Sequence, residues 1–209
     1  MNETDPAGAP ARGAGDDERL VERARAGDRD AYDLLVEAHM SRVWRVVWRI
    51  VRHAEDTEDV VQEVFLTAWR GLADFRGEAR FSTWLHSIAV TRALNHLDRA
   101  SEKVRRSSVP LESFGNPDPE RERAAPIELR ASDGPSPLQM LEAAEVERRI
   151  ALCLDRLPPA WRAVLALRDD EDRSYEEIAR MMDLALGTVR SRLARARVSL
   201  KECVEGRDS

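Results

Sequence analysis

SYEEIARMMDLALGTVRSRLARARVSLK, residues Ser174 to Lys201, decides the fold. Ser174 is followed three residues on by Glu177, the spacing of a capping box, in which hydroxyl and carboxylate each satisfy an orphan amide. This predicts a helix from Tyr175 to about Met182. Asp183, Leu184 and Ala185 fill a short turn, and Leu186, Gly187 and Thr188 open a second helix running to about Val204. Val189, Leu193, Ala196 and Leu200 recur on it at intervals of four, three and four, so they form one apolar stripe that packs inward. Thr188, Arg190, Ser191, Ala194 and Arg195 point away from that stripe or flank it. From Leu186 to Lys201 there are Arg190, Arg192, Arg195, Arg197 and Lys201 and no acidic residue. The economical reading is a helix-turn-helix whose second helix enters a DNA major groove, with Thr188, Arg190, Ser191, Arg192 and Arg195 as its contact residues. The alternative is a solvated helix of a bundle.

The rest of the chain sets bounds on that reading. With 209 residues there is room for two small domains, and 34% charged against 5% aromatic residues suits a helical, well-solvated protein. The net charge of -6 means that a DNA contact must come from local patches, and a partner with a basic docking surface fits equally well. Cys153 and Cys203 lie far apart and outside any CxxC spacing. Neither a disulfide framework nor a zinc site is indicated, as suits a reducing cytoplasm. No apolar run approaches the roughly 18 residues of a membrane span, and Met1 to Asp17 lacks a signal-peptide core. A soluble, cytoplasmic protein without membrane insertion is expected.

Read in order, the chain is all-α: two small helical domains joined by a flexible linker. The expected parts are a disordered tail over 1–16, a first domain over 17–100, a Pro-rich linker over 101–137 and a second domain over 138–204. In the first domain, Tyr32, Leu35, Val36 and His39 mark one helix. SRVWRVVWRIVR follows from Ser41, with Val43, Val47, Ile50 and Val51 inward, Arg42, Arg45, Arg49 and Arg52 outward, and Trp44 and Trp48 expected in the core. Next, DTEDVVQEVFLTAWR carries Asp56, Asp59 and Glu63 on one face with Gln62 beside them. Val60, Val61, Val64, Phe65, Ala68 and Trp69 form the buried face. Acid in a first turn is favourable in itself. A stripe continuing beyond it reads as a docking surface for a basic protein, against the alternative of a solvated face.

FRGEARFSTWLHSIAVTRALNHLDR then mixes aromatics with cations. Arg76 to Ala79 read as a loop, and Ser82 or Thr83 as the cap of a helix with Trp84, Leu85, Ile88, Ala89, Leu94 and Leu97 on its apolar side. Arg76, Arg80, Phe81, Trp84, Arg92, Asn95 and Arg99 are the candidates for unstacked bases and phosphates, although Phe81 and Trp84 could equally be core. Six prolines between Ala100 and Pro137 mark the linker. Beyond it a helix runs from Leu138 to about Leu157, with Leu141, Ala144, Ile150, Ala151 and Leu154 buried. Pro159 starts the next, Ala160 to Arg168, and Asp169 to Asp172 form a surface loop. His39, His53, His86 and His96 match no catalytic or metal spacing, and no phosphate-cradling glycine motif or GxSxG occurs, so no catalytic residues, cofactor or metal are expected.

Together the three blocks, the third being LPPAWRAVLALRDDEDRSYEEIARMMDLALGTVRSRLARAR, resemble bacterial RNA polymerase sigma factors of the extracytoplasmic-function (ECF) group of the sigma-70 family. The resemblance covers about Asp17 to Arg99 and Leu141 to Lys201. It implies that the first domain is sigma region 2, with Asp56, Asp59, Gln62 and Glu63 docking on the β′ clamp helices and the loop and following helix engaging the -10 element. It implies that the second domain is region 4, reading the -35 element. Core RNA polymerase, through its β′ and β subunits, promoter DNA and an anti-sigma factor are the partners it implies. A stand-alone helix-turn-helix regulator, a sigma-like decoy and an enzyme with an unrecognised site are the alternatives.

Overall fold

The computed structural model describes residues 14–106 and 137–206, all of them helical or in short connections. The expected tail up to residue 13 and the Pro-rich stretch 107–136 lie outside them. Four helices make the first lobe: α1 (Ala14–Arg25), α2 (Arg29–Val51), α3 (Ala54–Gly71) and α4 (Phe81–Arg106). The second lobe has α5 (Pro137–Arg156), α6 (Pro159–Leu165), α7 (Tyr175–Met181) and α8 (Leu186–Val204).

Local chemistry sets the ends of these helices. Asp28 accepts from the Ala31 amide to start α2. Arg52, at φ 63, closes it by donating its amide to the Trp48 carbonyl. The Ser174–Glu177 capping box is formed in both directions, at 2.8 and 3.1 Å. Asp183, at φ 51, makes the tight turn between α7 and α8, and the Leu184 amide reaches back to the Ala179 carbonyl at 2.9 Å.

The core of the first lobe is built on α2, whose Leu35, Val43, Val46, Val47 and Ile50 are fully buried against Val64, Leu85 and Ala89 of α3 and α4. The stripe foreseen on α8 is present, with Val189, Leu193 and Ala196 buried and Leu200 packed against them.

The helical pattern foreseen from Tyr32 through Ser41 to about Arg52 is one 23-residue helix, α2. Four expectations are corrected. Trp44 and Trp48 are not core residues. They stack on each other at 5.4 Å along the outer face of α2, Trp44 is 39% exposed, and the Arg52 guanidinium lies over Trp48. Neither Ser82 nor Thr83 caps α4, which begins at Phe81 with amides of Thr83 and Trp84 bonded to the Arg80 carbonyl. Ala144 is exposed, and the side chain of Leu141 lies outside the described set.

The fourth concerns the cysteines. Cys153 on α5 and Cys203 on α8 are joined in a disulfide. Fifty residues of sequence separate them, but the packing of α5 on α8 brings their Cα atoms to 5.7 Å, a proximity that spacing alone does not reveal.

Ser174→Ala removes one half of the capping box and should lower the stability of the second lobe by about 1 kcal/mol. Ser174→Thr should retain most of it. Urea unfolding followed by the α-helical circular dichroism of the two variants checks this.

Candidate nucleic-acid interface

The outer face of α8 is the clearest candidate. With Val189, Leu193 and Ala196 turned inward, Arg190, Ser191 and Arg195 stand exposed, and Thr188 and Arg192 are half-buried beside them. Arg190, Arg192 and Arg195 have no acidic partner among the described residues. Arg197 differs. It holds Asp169 at 2.6 Å, which raises its pKa through that hydrogen bond, so the basic face is narrower than the arginine count suggests. The free guanidiniums lie on the N-terminal half of the helix, the end that a helix-turn-helix presents to base edges.

In the first lobe, the loop from Phe75 to Arg80 carries Gly77 at φ 73, a backbone state that glycine adopts without strain. Arg76 and Arg80 are exposed on it. One flank opens into a cleft of about 640 Å³ shared with Asp17, Glu22 and His39, and the other into one of about 760 Å³ shared with Trp84 and with Glu177 and Arg180 of α7. Phe81 is 5% exposed, held in a ring cluster with His39, Phe75 and Trp84, and offers no free face. Trp84 is half-buried in the same cluster, and its ring passes so close to Gly71 that a Cβ there would sit 3.3 Å from it. Further along α4, Asn95 and Arg99 are exposed and Arg92 half-buried, all on one side.

The acidic stripe on α3 is also in place. Asp59, Gln62 and Glu63 are exposed, whereas Asp56 sits between His53 at 3.2 Å and His96 at 3.4 Å. Beside it lies a groove of about 470 Å³ between α2 and α3, with Tyr32, Val36, Met40, Gln62, Phe65, Leu66 and Trp69 in its walls. Leu66 is 55% exposed and Met40 39%. Sequence reading overlooked both. The available signal was Leu66 itself, one turn beyond Gln62 on the polar side of α3 where a leucine has no core to fill.

The acidic run Asp169 to Asp172 is not a plain surface loop. A π turn over Ala166–Asp170, closed by the Glu171 amide on the Ala166 carbonyl, aims successive acids in different directions. Asp169 meets Arg197, Asp170 takes a bidentate contact from Arg49 of α2 at 2.9 and 3.0 Å, and Glu171 is buried beside His86 of α4. Arg173 completes this clasp between the lobes by donating to Thr83 Oγ1 at 2.9 Å and Ser82 Oγ at 3.2 Å. Arg52 adds Asp155 at 2.6 Å.

His86 and Glu171 lie 3.6 Å apart, yet they are not an ion pair. Burial, reinforced by Arg173, pushes the imidazole down to about 3, so it is neutral. Its Nδ1 faces an Arg173 N–H at 3.4 Å, which puts the proton on Nε2. Burial raises the Glu171 carboxyl, against the pull of Arg42, Arg173 and Arg45.

Two helical lobes, one presenting a helix-turn-helix with a basic outer face, make up the all-α fold. Residues 35–103 match the family model for sigma-70 region 2, and residues 147–200 that for sigma-70 region 4. The chain is 37% identical over 191 residues to the RNA polymerase sigma-H factor of Pseudomonas aeruginosa, covering 90% of this chain and 94% of that one. It is 35% identical to the ECF RNA polymerase sigma-E factor of Haemophilus influenzae, over 90% and 95% of the two chains. Its fold matches that of the sigma factor RpoE of Bartonella quintana, solved with the anti-sigma factor NepR, at a TM-score of 0.60, 21% identity and coverage of 83% and 96%. The chain belongs to the ECF group of sigma-70 family RNA polymerase sigma factors. Such proteins bind core polymerase and promoter DNA and are not enzymes. Among the described residues, no helix is long and apolar enough to cross a membrane.

The buried neutral His86 makes the fold pH-sensitive. Its pKa is depressed in the folded chain and returns to about 6.5 on unfolding, so its contribution to stability is present above about pH 6.5 and is lost as pH falls towards 3. Glu171, raised by burial, acts with the opposite sign. Between pH 7.5 and 5.5 the histidine should lower the folding equilibrium constant by about tenfold. Urea unfolding at the two pH values should report that loss, and His86→Gln should abolish the histidine's part of it.

Proposed function

We propose that the first lobe docks on core polymerase and handles the -10 element while α8 reads the -35 element. The observation that carries this reading is the free basic face of α8, seated on a buried apolar seam and lacking acidic partners among the described residues. Docking uses Asp59, Gln62 and Glu63 for charge and the neighbouring α2–α3 groove, with Met40 and Leu66, for apolar contact. Asp56, held between two histidines, contributes less. Arg76 and Arg80 hold an unstacked base and its phosphates beside Trp84, and Arg92, Asn95 and Arg99 track the strand along α4. Phe81 serves this site by supporting the loop from below.

The closed clasp has a consequence for this function. Promoter elements about 25 base pairs apart lie about 85 Å apart along the duplex at 3.4 Å per step. The longest helix here, α4 with 26 residues, spans about 39 Å. Closed lobes cannot contact both elements, so polymerase binding parts them. The roughly 30 residues from 107 to 136 can reach at most about 100 Å, enough for the task. An anti-sigma factor that favours the closed arrangement fits the same geometry. The Bartonella quintana protein's complex with NepR is a precedent for such a partner.

Run-off transcription with core polymerase and a pool of genomic promoter fragments tests the reading. Start sites that depend on the protein support it, and core binding without any product would indicate a decoy. Reversing Asp59 and Glu63 to Lys, or Leu66→Asp, should weaken core binding at least about tenfold in a fluorescence titration and leave helicity unchanged. Arg190→Ala or Arg195→Ala should weaken -35 binding by about 1–3 kcal/mol, measured by footprinting.

A further inference from the structure

We propose that Cys153 and Cys203 are a thiol–disulfide exchange site for low-molecular-weight disulfides of the glutathione class, and that the state of this pair sets the stability of the second lobe. The two sulfurs are bonded across the α5–α8 contact, and the resulting loop encloses α6, the π turn, α7 and nearly all of α8. The whole helix-turn-helix is therefore tied by one bond.

The two sulfurs are unequal. Cys153 is 3% exposed and continuous with the buried Leu154 and Leu157. Cys203 lies on the last turn of α8 and is partly exposed, and Arg156 Nη1 approaches its Sγ at 3.8 Å. A guanidinium beside a sulfur stabilises the thiolate, the form that attacks a disulfide. Cys203 is thus the entry thiol and Cys153 the resolving one. In the first step the Cys203 thiolate attacks RS–SR, a mixed disulfide forms at Cys203 and one RS⁻ leaves. In the second, Cys153 loses its proton to solvent and attacks Cys203 Sγ, and the second RS⁻ leaves. Both protein thiols are oxidised, and one RS–SR is reduced to two thiols. Excess RSH runs the sequence backwards.

Closing a loop of this length removes open conformations from the unfolded chain. The second lobe is small, so the effect on it is large. The consequence for promoter binding rests on reading α8 as the -35 helix, but the exchange chemistry does not.

The test is to reduce the full-length protein, remove the reductant, and incubate it in buffers of defined glutathione to glutathione-disulfide ratio. Wild type should lose both free thiols to an internal disulfide by mass. Cys153→Ser should accumulate one glutathione adduct, and Cys203→Ser should be modified at least about tenfold more slowly. The melting midpoint of the second lobe should fall by roughly 10 °C or more on reduction of wild type, and reductant should not move it in either variant. Persistence of two free thiols in wild type, or equal rates in the two variants, would overturn the site. An unchanged midpoint between the two wild-type states would overturn the stability role, and these wild-type readings hold even if a variant misfolds. If both pass but -35 binding near the reduced midpoint is the same in either state, the assignment of α8 fails and the exchange site stands.

Discussion

One helix, α2, has to satisfy two neighbours at once, and the arrangement of the molecule follows from that. Its fully buried Leu35, Val43, Val46, Val47 and Ile50 form the axis on which α3 and α4 close the first lobe. Near its C-terminal end, Arg49 and Arg52 stand outside that axis and reach Asp170 and Asp155 of the second lobe. The first lobe closes on the inner side of the helix. The outer side meets the second lobe both through these ion pairs and through apolar side chains, so one buried core is continuous between the lobes.

Apolar burial and ion pairing contribute to these contacts very unequally. Burying a leucine or isoleucine contributes about 1.5–3 kcal/mol, and water offers no substitute. Partly exposed ion pairs such as Arg52–Asp155 contribute about 0–1 kcal/mol, because water solvates the separated partners well. The clasp also leaves buried groups unsatisfied: Nε2 of His86 and Nε of Arg173 find no partner. Each such group costs about 1–3 kcal/mol while buried and recovers that on hydration.

Much of this was legible in the sequence wherever a regular period or a cap fixes the answer. The α7–α8 unit could be read almost residue for residue, because the capping box, the turn and the four-three-four stripe are all local. The acidic face of α3 was legible for the same reason. What could not be read depends on which surfaces meet. Trp44 and Trp48 look like core side chains until α2 is seen to have an outer face where two indoles stack. The run Asp169 to Asp172 looks like a loop until the π turn distributes its acids among Arg197, Arg49 and His86. Ser82 and Thr83 look like caps, but their hydroxyls accept from an arginine 90 residues away. The cysteines carry no spacing signal because only helix packing brings them together. Leu66 and Met40 show what a periodicity argument misses, an apolar residue on the wet side.

The net charge of -6 seems at odds with binding DNA, and the distribution of partners resolves the conflict. Arg49, Arg52, Arg168, Arg173 and Arg197 are each engaged by a nearby carboxylate, so much of the positive charge is neutralised within a few ångströms. Arg76, Arg80, Arg99, Arg190, Arg192 and Arg195 are not so engaged among the described residues. At physiological ionic strength charges more than about 8 Å away are largely screened, so a phosphate at either surface responds to these free guanidiniums and hardly to the distant acids of α3. In the proposed reading, those same acids repel DNA from the α3 face and suit it to a basic protein instead. An acidic chain can therefore present separate basic and acidic surfaces, because several of its other arginines are neutralised by its own carboxylates.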